Sequence, residues 1–227
     1  MSLQTIVNNA TYIDFKQAKL AGQSVSRSGR ILTATVASAE PFRMDVGMHE
    51  GLTYSTNRGL TESINNLDIT VEEAINIGSS NTGLAYITQY MGGMDAAQVA
   101  QVTVTQSGGT PYGEKQLVLN TTGVTGTTPA NAFVQGDIIT LDGAYRYPYI
   151  VTADVSWSAS SITVPLSRNF ITQDSFTTVG AGIEVGVDCT WSVKMVRKPN
   201  YSVLPGDRLV FDGNKFELAE IIRKEDG

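Results

Sequence analysis

At 227 residues the chain is long enough to bury one large β core or two small ones without staples. Twenty-two glycines and only 17% charged residues favour strands and tight turns over helix bundles, and a net charge of −6 excludes the basic surface a general nucleic-acid binder needs. One cysteine, Cys189, leaves no intrachain disulfide and is expected to be an inert apolar thiol, and no apolar run reaches the ~18 residues of a membrane span.

Met1–Ala10 lacks the basic start and apolar centre of a signal peptide, so the protein is expected in the cytosol where it is made. Ser2–Ala10 reads as a short helix or an arm that orders on a neighbour. Thr11–Gly22 fits strand or helix, and Ser24–Gly29 reads as a loop with Arg27 and Arg30 at its end. Ile31–Val36 and Pro41–Val46 read as strands, the second alternating Phe42, Met44 and Val46 inward against Arg43 and Asp45 outward. The best helix follows, with Ser55 as its cap and Leu60, Ile64 and Leu67 on one face, while Arg58 and Glu62 lie on the exposed side.

Ile69–Ile77 alternates loosely, and Leu84–Met91 is apolar and aromatic enough for a buried strand. Asp95–Ala100 reads as one helical turn capped by Asp95, leading to short strands at Val102–Thr105 and Leu117–Leu119. Val134–Arg168 has the clearest pattern. Gly136-Asp137 makes an entry turn, Ile138–Leu141 is an apolar strand, and Asp142-Gly143 is a two-residue hairpin signal. Tyr145, Tyr147 and Tyr149 then fall on one side of a period-2 strand, with Trp157 further on. Glu184–Val196 alternates as one strand, and the spacing Gly-Asp, four residues, Asp-Gly at 136–143 returns at 206–213 as a repeated hairpin.

These patterns give a mainly β chain with one packed α-helix. An inserted β module at 95–180 sits between the two parts, 1–94 and 181–227, of an outer β domain with an N-terminal arm.

Chemistry is thinly represented. His49 is the one histidine and no nucleophile elbow accompanies it, so neither a Ser-His-Asp triad nor a zinc site is expected. Glu114, Asp137 and Asp154 are formal candidates for a carboxylate pair. Asp137, Asp142, Asp207 and Asp212 lack the packed spacing of a calcium loop, so their Gly-Asp and Asp-Gly pairs read as turn chemistry. No metal or cofactor is expected. The Tyr145, Tyr147, Tyr149 and Trp157 row is either module core or subunit contact, or a surface that stacks on sugars.

Two groups of segments carry a resemblance. SLQTIVNNA, SRSGRI, AEPFRMDV and YSTNRGLTESINNLD in Ser2–Asp68, then GDIITLDGAYRYPYIVTADV, VDCTWSV and LPGDRLVFDGNKFELAEII, resemble small structural proteins of contractile-tailed bacteriophages. The resemblance is one of overall texture, in the right order over most of the chain. It implies a tail-tube-like β-sandwich or barrel domain carrying an inserted small β-barrel module, in a virion protein at the junction of tail tube and baseplate that is similar to the ripcord-like adaptors. It further implies a homo-hexameric ring that templates the tube, made in the host cytoplasm and contacting the tail tube protein, the baseplate hub and other baseplate proteins, and sheath or tape-measure protein. DNA would pass its lumen unbound, and no membrane is involved. The major tail tube protein is the alternative within that class, a carbohydrate-binding module the alternative outside it, and a glycosidase or esterase a third reading. Arg27, Arg30, Arg58 and Glu62 are the interface residues expected.

Overall fold

The computed structural model describes residues 3–17, 21–25, 31–35, 41–48, 51–68, 71–79, 81, 83–105, 115–142, 146–169, 181–198, 200–212 and 215–221. Of residues 17, 21–25, 31–35 and 212 it describes the backbone alone. The chain opens with α1 (Leu3–Asn8), β1 (Ala10–Gln17), β2 (Ala21–Val25), β3 (Ile31–Thr35), β4 (Phe42–Met48) and β5 (Leu52–Thr53). Next come α2 (Arg58–Asn65), β6 (Glu72–Asn76), α3 (Ala96–Val99), β7 (Thr103–Val104) and β8 (Gln116–Asn120). Short strands follow: β9 (Asn131–Phe133), β10 (Ile138–Leu141), β11 (Tyr149–Ile150), β12 (Val155–Ser156), β13 (Ser161–Pro165) and β14 (Ile183–Val185). The chain then runs through β15 (Thr190–Arg197), β16 (Asn200–Leu204), β17 (Arg208–Asp212) and β18 (Lys215–Glu220).

The fold is mainly β, organised on a curled, half-barrel sheet. That sheet is antiparallel in the order β1-β4-β18-β15-β6. Its inner face is apolar because period-2 alternation points Phe42, Met44 and Val46 of β4, Phe216 and Leu218 of β18, and Trp191, Val193 and Met195 of β15 the same way. Trp191 is fully enclosed, its ring 5.2 Å from Phe15 and 5.5 Å from Phe42. Leu3, Ile6 and Val7 of α1 and Leu60 and Ile64 of α2 join this core. A second core takes residues from Met94 to Val185 and is built on the small sheets β11-β10-β14, β12-β9 and β13-β8-β7.

One buried ion pair joins the two. Arg168, just after β13, sends Nη1 to Glu220 Oε2 at 2.5 Å and Nη2 to Glu220 Oε1 at 2.6 Å, with side chains 1% and 0% exposed. Arg168 Nη2 also donates to the Pro148 carbonyl at 2.6 Å, and the guanidinium lies 4.7 Å from the Phe42 ring centre and 5.1 Å from that of Tyr149. Glu220 Oε2 accepts in addition from the Phe42 backbone N–H at 2.9 Å. Bidentate geometry with further hydrogen bonds is what a desolvated pair requires.

Several sequence expectations are corrected. Leu84–Met91 is not a buried strand but a 3-10 turn at Ala85–Ile87 with irregular flanks, leaving Tyr86 70% and Met91 63% exposed. Leu84 and Thr88 are the enclosed residues, four apart, which is helical spacing, and the Thr88 hydroxyl donates to the Ile77 carbonyl at 2.7 Å. Glu184–Val196 is not one strand: a 3-10 turn at Gly186–Asp188, with Gly186 at φ +66°, moves the chain from β14 in the second core to β15 in the curled sheet. At that corner the Cys189 thiol donates to the Ile138 carbonyl at 3.2 Å and to that of Glu184 at 3.3 Å, and burial pushes its pKa up to about 12. Ser55 does not cap α2; Asn57 holds the N-cap position without a side-chain cap bond. The Asp95 cap of α3 forms a full capping box with Gln98.

The Arg168–Glu220 pair gives a direct test. Arg168→Met strands a buried carboxylate and is expected to lower unfolding stability by about 3–5 kcal/mol. Arg168→Met with Glu220→Gln, which removes both charges and keeps an acceptor for Phe42, recovers most of that loss in denaturant titrations.

Candidate functional site

The recurring Gly-Asp spacing resolves into a clamp. Gly136 and Gly206 hold φ of +100° and +82°, values a Cβ disfavours, and each sets the aspartate after it at the mouth of a strand. The buried Asp137 carboxylate accepts backbone N–H groups of Met91 at 2.8 Å, Gly92 at 3.1 Å and Val134 at 2.8 Å. Asp207, itself at φ +61°, accepts from the Ser55 N–H at 2.8 Å and from the Ser55 hydroxyl, while its carbonyl accepts from the Tyr54 N–H at 3.1 Å. In both places the aspartate fastens a distant loop to the start of a strand.

What repeats is this clamp and not a hairpin. In the second copy Gly206-Asp207 lies in the turn between paired β16 and β17, and Asp212 ends β17, which belongs to a different sheet from the next strand, β18. In the first copy β10 pairs with β11 through Ile138↔Ile150 and Ile139↔Tyr149, so the connection is far longer than the two-residue turn expected at Asp142-Gly143. Arg146 crosses that connection, donating to Asp142 at 3.2 Å, to Glu184, and to the Thr190 hydroxyl at 3.3 Å.

The candidate catalytic and stacking residues separate. Asp137 is committed to backbone donors and Asp154 accepts from the Gln135 N–H at 2.9 Å. His49 and Glu114 lie outside the described residues, as do Arg27, Arg30 and Tyr145. Tyr147 and Tyr149 are both fully enclosed in the second core, and only Tyr149 belongs to a strand. Trp157 is half-buried against the same core. A sugar ring has no access to either tyrosine. Arg58 and Glu62 are exposed on α2, with the Arg58 guanidinium 5.5 Å from the Tyr54 ring centre.

The surface features with the most organisation are the two margins of the curled sheet. Among the described residues β1 pairs only with β4, and β6 only with β15. The β2–β3 pair lies between β1 and β4 in the chain, and from Lys16 to Ala39 the sequence carries Lys16, Lys19, Arg27 and Arg30 with no acidic residue. At the opposite margin Asp68, Glu72 and Glu73 accompany β6. Part of the β6 margin is already closed by α1: the Gln4 side-chain amide accepts from the Asn76 N–H at 2.7 Å and donates to its carbonyl at 2.9 Å, and Glu73 accepts from the Leu3 N–H at 2.6 Å. Gln4 thereby takes the place of a neighbouring strand at one residue.

The outer face of the sheet is charged and balanced. Lys16 contacts Asp45 at 2.6 Å and Asp14 at 3.4 Å, Lys215 contacts Asp45 at 3.5 Å, and Arg43 contacts Glu217 at 3.2 Å. The Lys16 hydrogen bond is the chief cause that holds the Asp45 carboxyl below its ordinary value. Sequence reasoning missed both the Gln4 closure and the Arg168–Glu220 pair, because neither residue of either pair stands in a motif. No protein-family model matches the chain, and a search of curated proteins finds no match.

The two clamps respond differently to perturbation. Asp137→Ala leaves buried donors without an acceptor at about 1–3 kcal/mol each and is expected to destabilise the fold strongly in denaturant titrations. For Asp207, bonds from the Ser55 hydroxyl and then the Ser55 N–H hold the carboxyl below its ordinary value of 3.8. Its contribution is therefore complete above that pH and is lost as pH falls through the lowered value. The Ser55 amide resonance is expected to shift in an acid titration below pH ~4 and to stay unchanged between pH ~5 and ~8.

Proposed function

We propose that the protein is a non-enzymatic structural component of a contractile phage tail, forming a ring that joins the tail tube to the baseplate and templates tube assembly. The observation that carries this reading is the curled sheet whose β1 and β6 margins carry no further strand among the described residues, with β1 followed in sequence by the stretch 16–39, whose charged residues are all basic, and with Asp68, Glu72 and Glu73 beside β6. Unpaired strand edges are a liability that closure removes, and two unlike margins that fit each other generate a head-to-tail contact, which closes into a ring when the rotation divides a full turn. The resemblance of Ser2–Asp68 and of the later GDIITLDG, VDCTWSV and LPGDRLVFDGN segments to tail proteins supplies the class and the expected copy number of six.

In this reading the charge-balanced outer face of the β1-β4-β18 part of the sheet lines the lumen. Its alternating signs neither hold a polyphosphate nor build a strong barrier, so DNA passes without specific binding. The second core forms the small barrel module that faces the baseplate. Arg27 and Arg30 meet the acidic residues beside β6 of the next subunit, and Arg58 and Glu62 on α2 remain exposed for a neighbouring tail protein.

Negative-stain images of the purified protein over a concentration series, alone and with candidate tube or hub protein, are expected to show six-fold rings with a central hole. Reversing the acidic margin with Glu72→Lys and Asp68→Lys should abolish them, and adding Arg27→Glu and Arg30→Glu should restore them. Long tubes from the protein alone would identify it instead as the main tube subunit. Monomers in every mixture, with hydrolytic or glycan-binding activity, would overturn the proposal.

A further inference from the structure

β16 differs from the margins at β1, β6 and β13. β1 carries Asp14 and Lys16 and a bulge between Ala10 and Tyr12, β6 is closed at Asn76 by Gln4, and β13 ends in Pro165, whose carbonyl accepts from the Thr152 N–H at 3.0 Å. Charges, bulges, prolines and covering side chains are the usual means of blunting an edge. β16, Asn-Tyr-Ser-Val-Leu, contains none of these, and Val203 and Leu204 are 48% and 41% exposed.

The hydrogen-bond phase of this edge is fixed by its neighbours. The Tyr54 N–H donates to the Asp207 carbonyl, so in the pairing of β17 with β5 the odd-numbered residues of β17 face β5. Arg208, Val210 and Asp212 then exchange bonds with Leu204, Ser202 and Asn200. Tyr201 and Val203 are left with N–H and C=O directed outward, and no hydrogen bond to these four groups exists among the described residues. The residues that flank β16 in the sequence are Pro199 and Pro205, which have no N–H to offer.

We infer that β16 is a self-association strand that pairs antiparallel with β16 of a second copy about a two-fold axis at Ser202. Only this register sets Tyr201 opposite Val203 of the second copy in both directions and satisfies all four outward groups. Centring one residue earlier or later on the outward positions, at Tyr201 or Val203, opposes a proline to one of the two donors. The two-fold register also places an aromatic residue beside a β-branched one on the same face, a favourable cross-strand pair, and opposes no like charges within the strand. Three-stranded β16-β17-β5 becomes one continuous six-stranded sheet. This contact is isologous and uses strands that the ring margins do not, so it does not depend on the tail reading; applied to a ring, it doubles it.

The test is amide hydrogen exchange of the full chain at low and high protein concentration, with particle mass measured in parallel. The Tyr201 and Val203 amides are expected to become protected as concentration rises, in step with a doubling of mass, while the Ser202 and Leu204 amides are protected throughout. Val203→Pro, which removes only an outward N–H, should halve the mass at high concentration, and Val203→Thr, which keeps it, should not. Exchange at Tyr201 and Val203 that is fast at every concentration, or a mass unchanged by Val203→Pro, would overturn the inference. Protection that appears only with another protein present would do the same, assigning the edge to an extended segment of that protein.

Discussion

A guanidinium and a carboxylate withdrawn together from water tie the second core to the curled sheet. Arg168 belongs to the chain that builds the second core, and Glu220 ends β18 in the curled sheet, so their two short hydrogen bonds cross between the two parts of the molecule, as does Ile138 of β10 by packing into the first core. Neither group is free to leave without the other. Each charge alone would cost several kcal/mol in that environment, and the bidentate contact, the Phe42 N–H and the Pro148 carbonyl together offset that cost. Phe42 and Tyr149, one from each core, close over the guanidinium. An apolar contact of the same area would tolerate sliding; this one permits a single relative placement. The proposed ring would need that restriction, because each subunit would present two margins at a defined angle.

How much of this was legible beforehand depended on whether the deciding interaction was local. β4 followed its alternation, with Phe42, Met44 and Val46 inside, because the period of a strand is written in consecutive residues. The α3 cap at Asp95 was legible for the same reason: donor and acceptor lie three residues apart. The apolar run Leu84–Met91 misled because composition alone cannot show that no neighbouring strand is there to pair with it. The long alternation from Glu184 to Val196 misled through Gly186, whose left-handed conformation breaks the strand at a point where the polarity pattern continues. Of the aromatic row, Tyr147 and Tyr149 lie in the second core, the module-core alternative, although Tyr147 precedes the strand that contains Tyr149. Arg168 and Glu220 are 52 residues apart, Gln4 and Asn76 are 72 apart, and no spacing rule reaches that far.

The two Gly-Asp sites show one local motif put to the same use twice under different burial. Asp137 works out of water and Asp207 at the surface, yet each collects backbone donors from a loop remote in sequence. A turn motif in this protein is thus also a long-range fastening. That explains why the spacing returns although the strand pairings around it differ. The loops so fastened precede α2 and the second core.

The chain has two tryptophans, and they fall one to each core. Trp191 is sealed between Phe15 and Phe42 beneath the curled sheet, whereas Trp157 lies half-buried at the border of the second core. Their surroundings differ enough in polarity to separate their emission. The intrinsic fluorescence of this protein therefore contains two reporters already in position, and replacing either with phenylalanine isolates the melting of the other's half of the molecule.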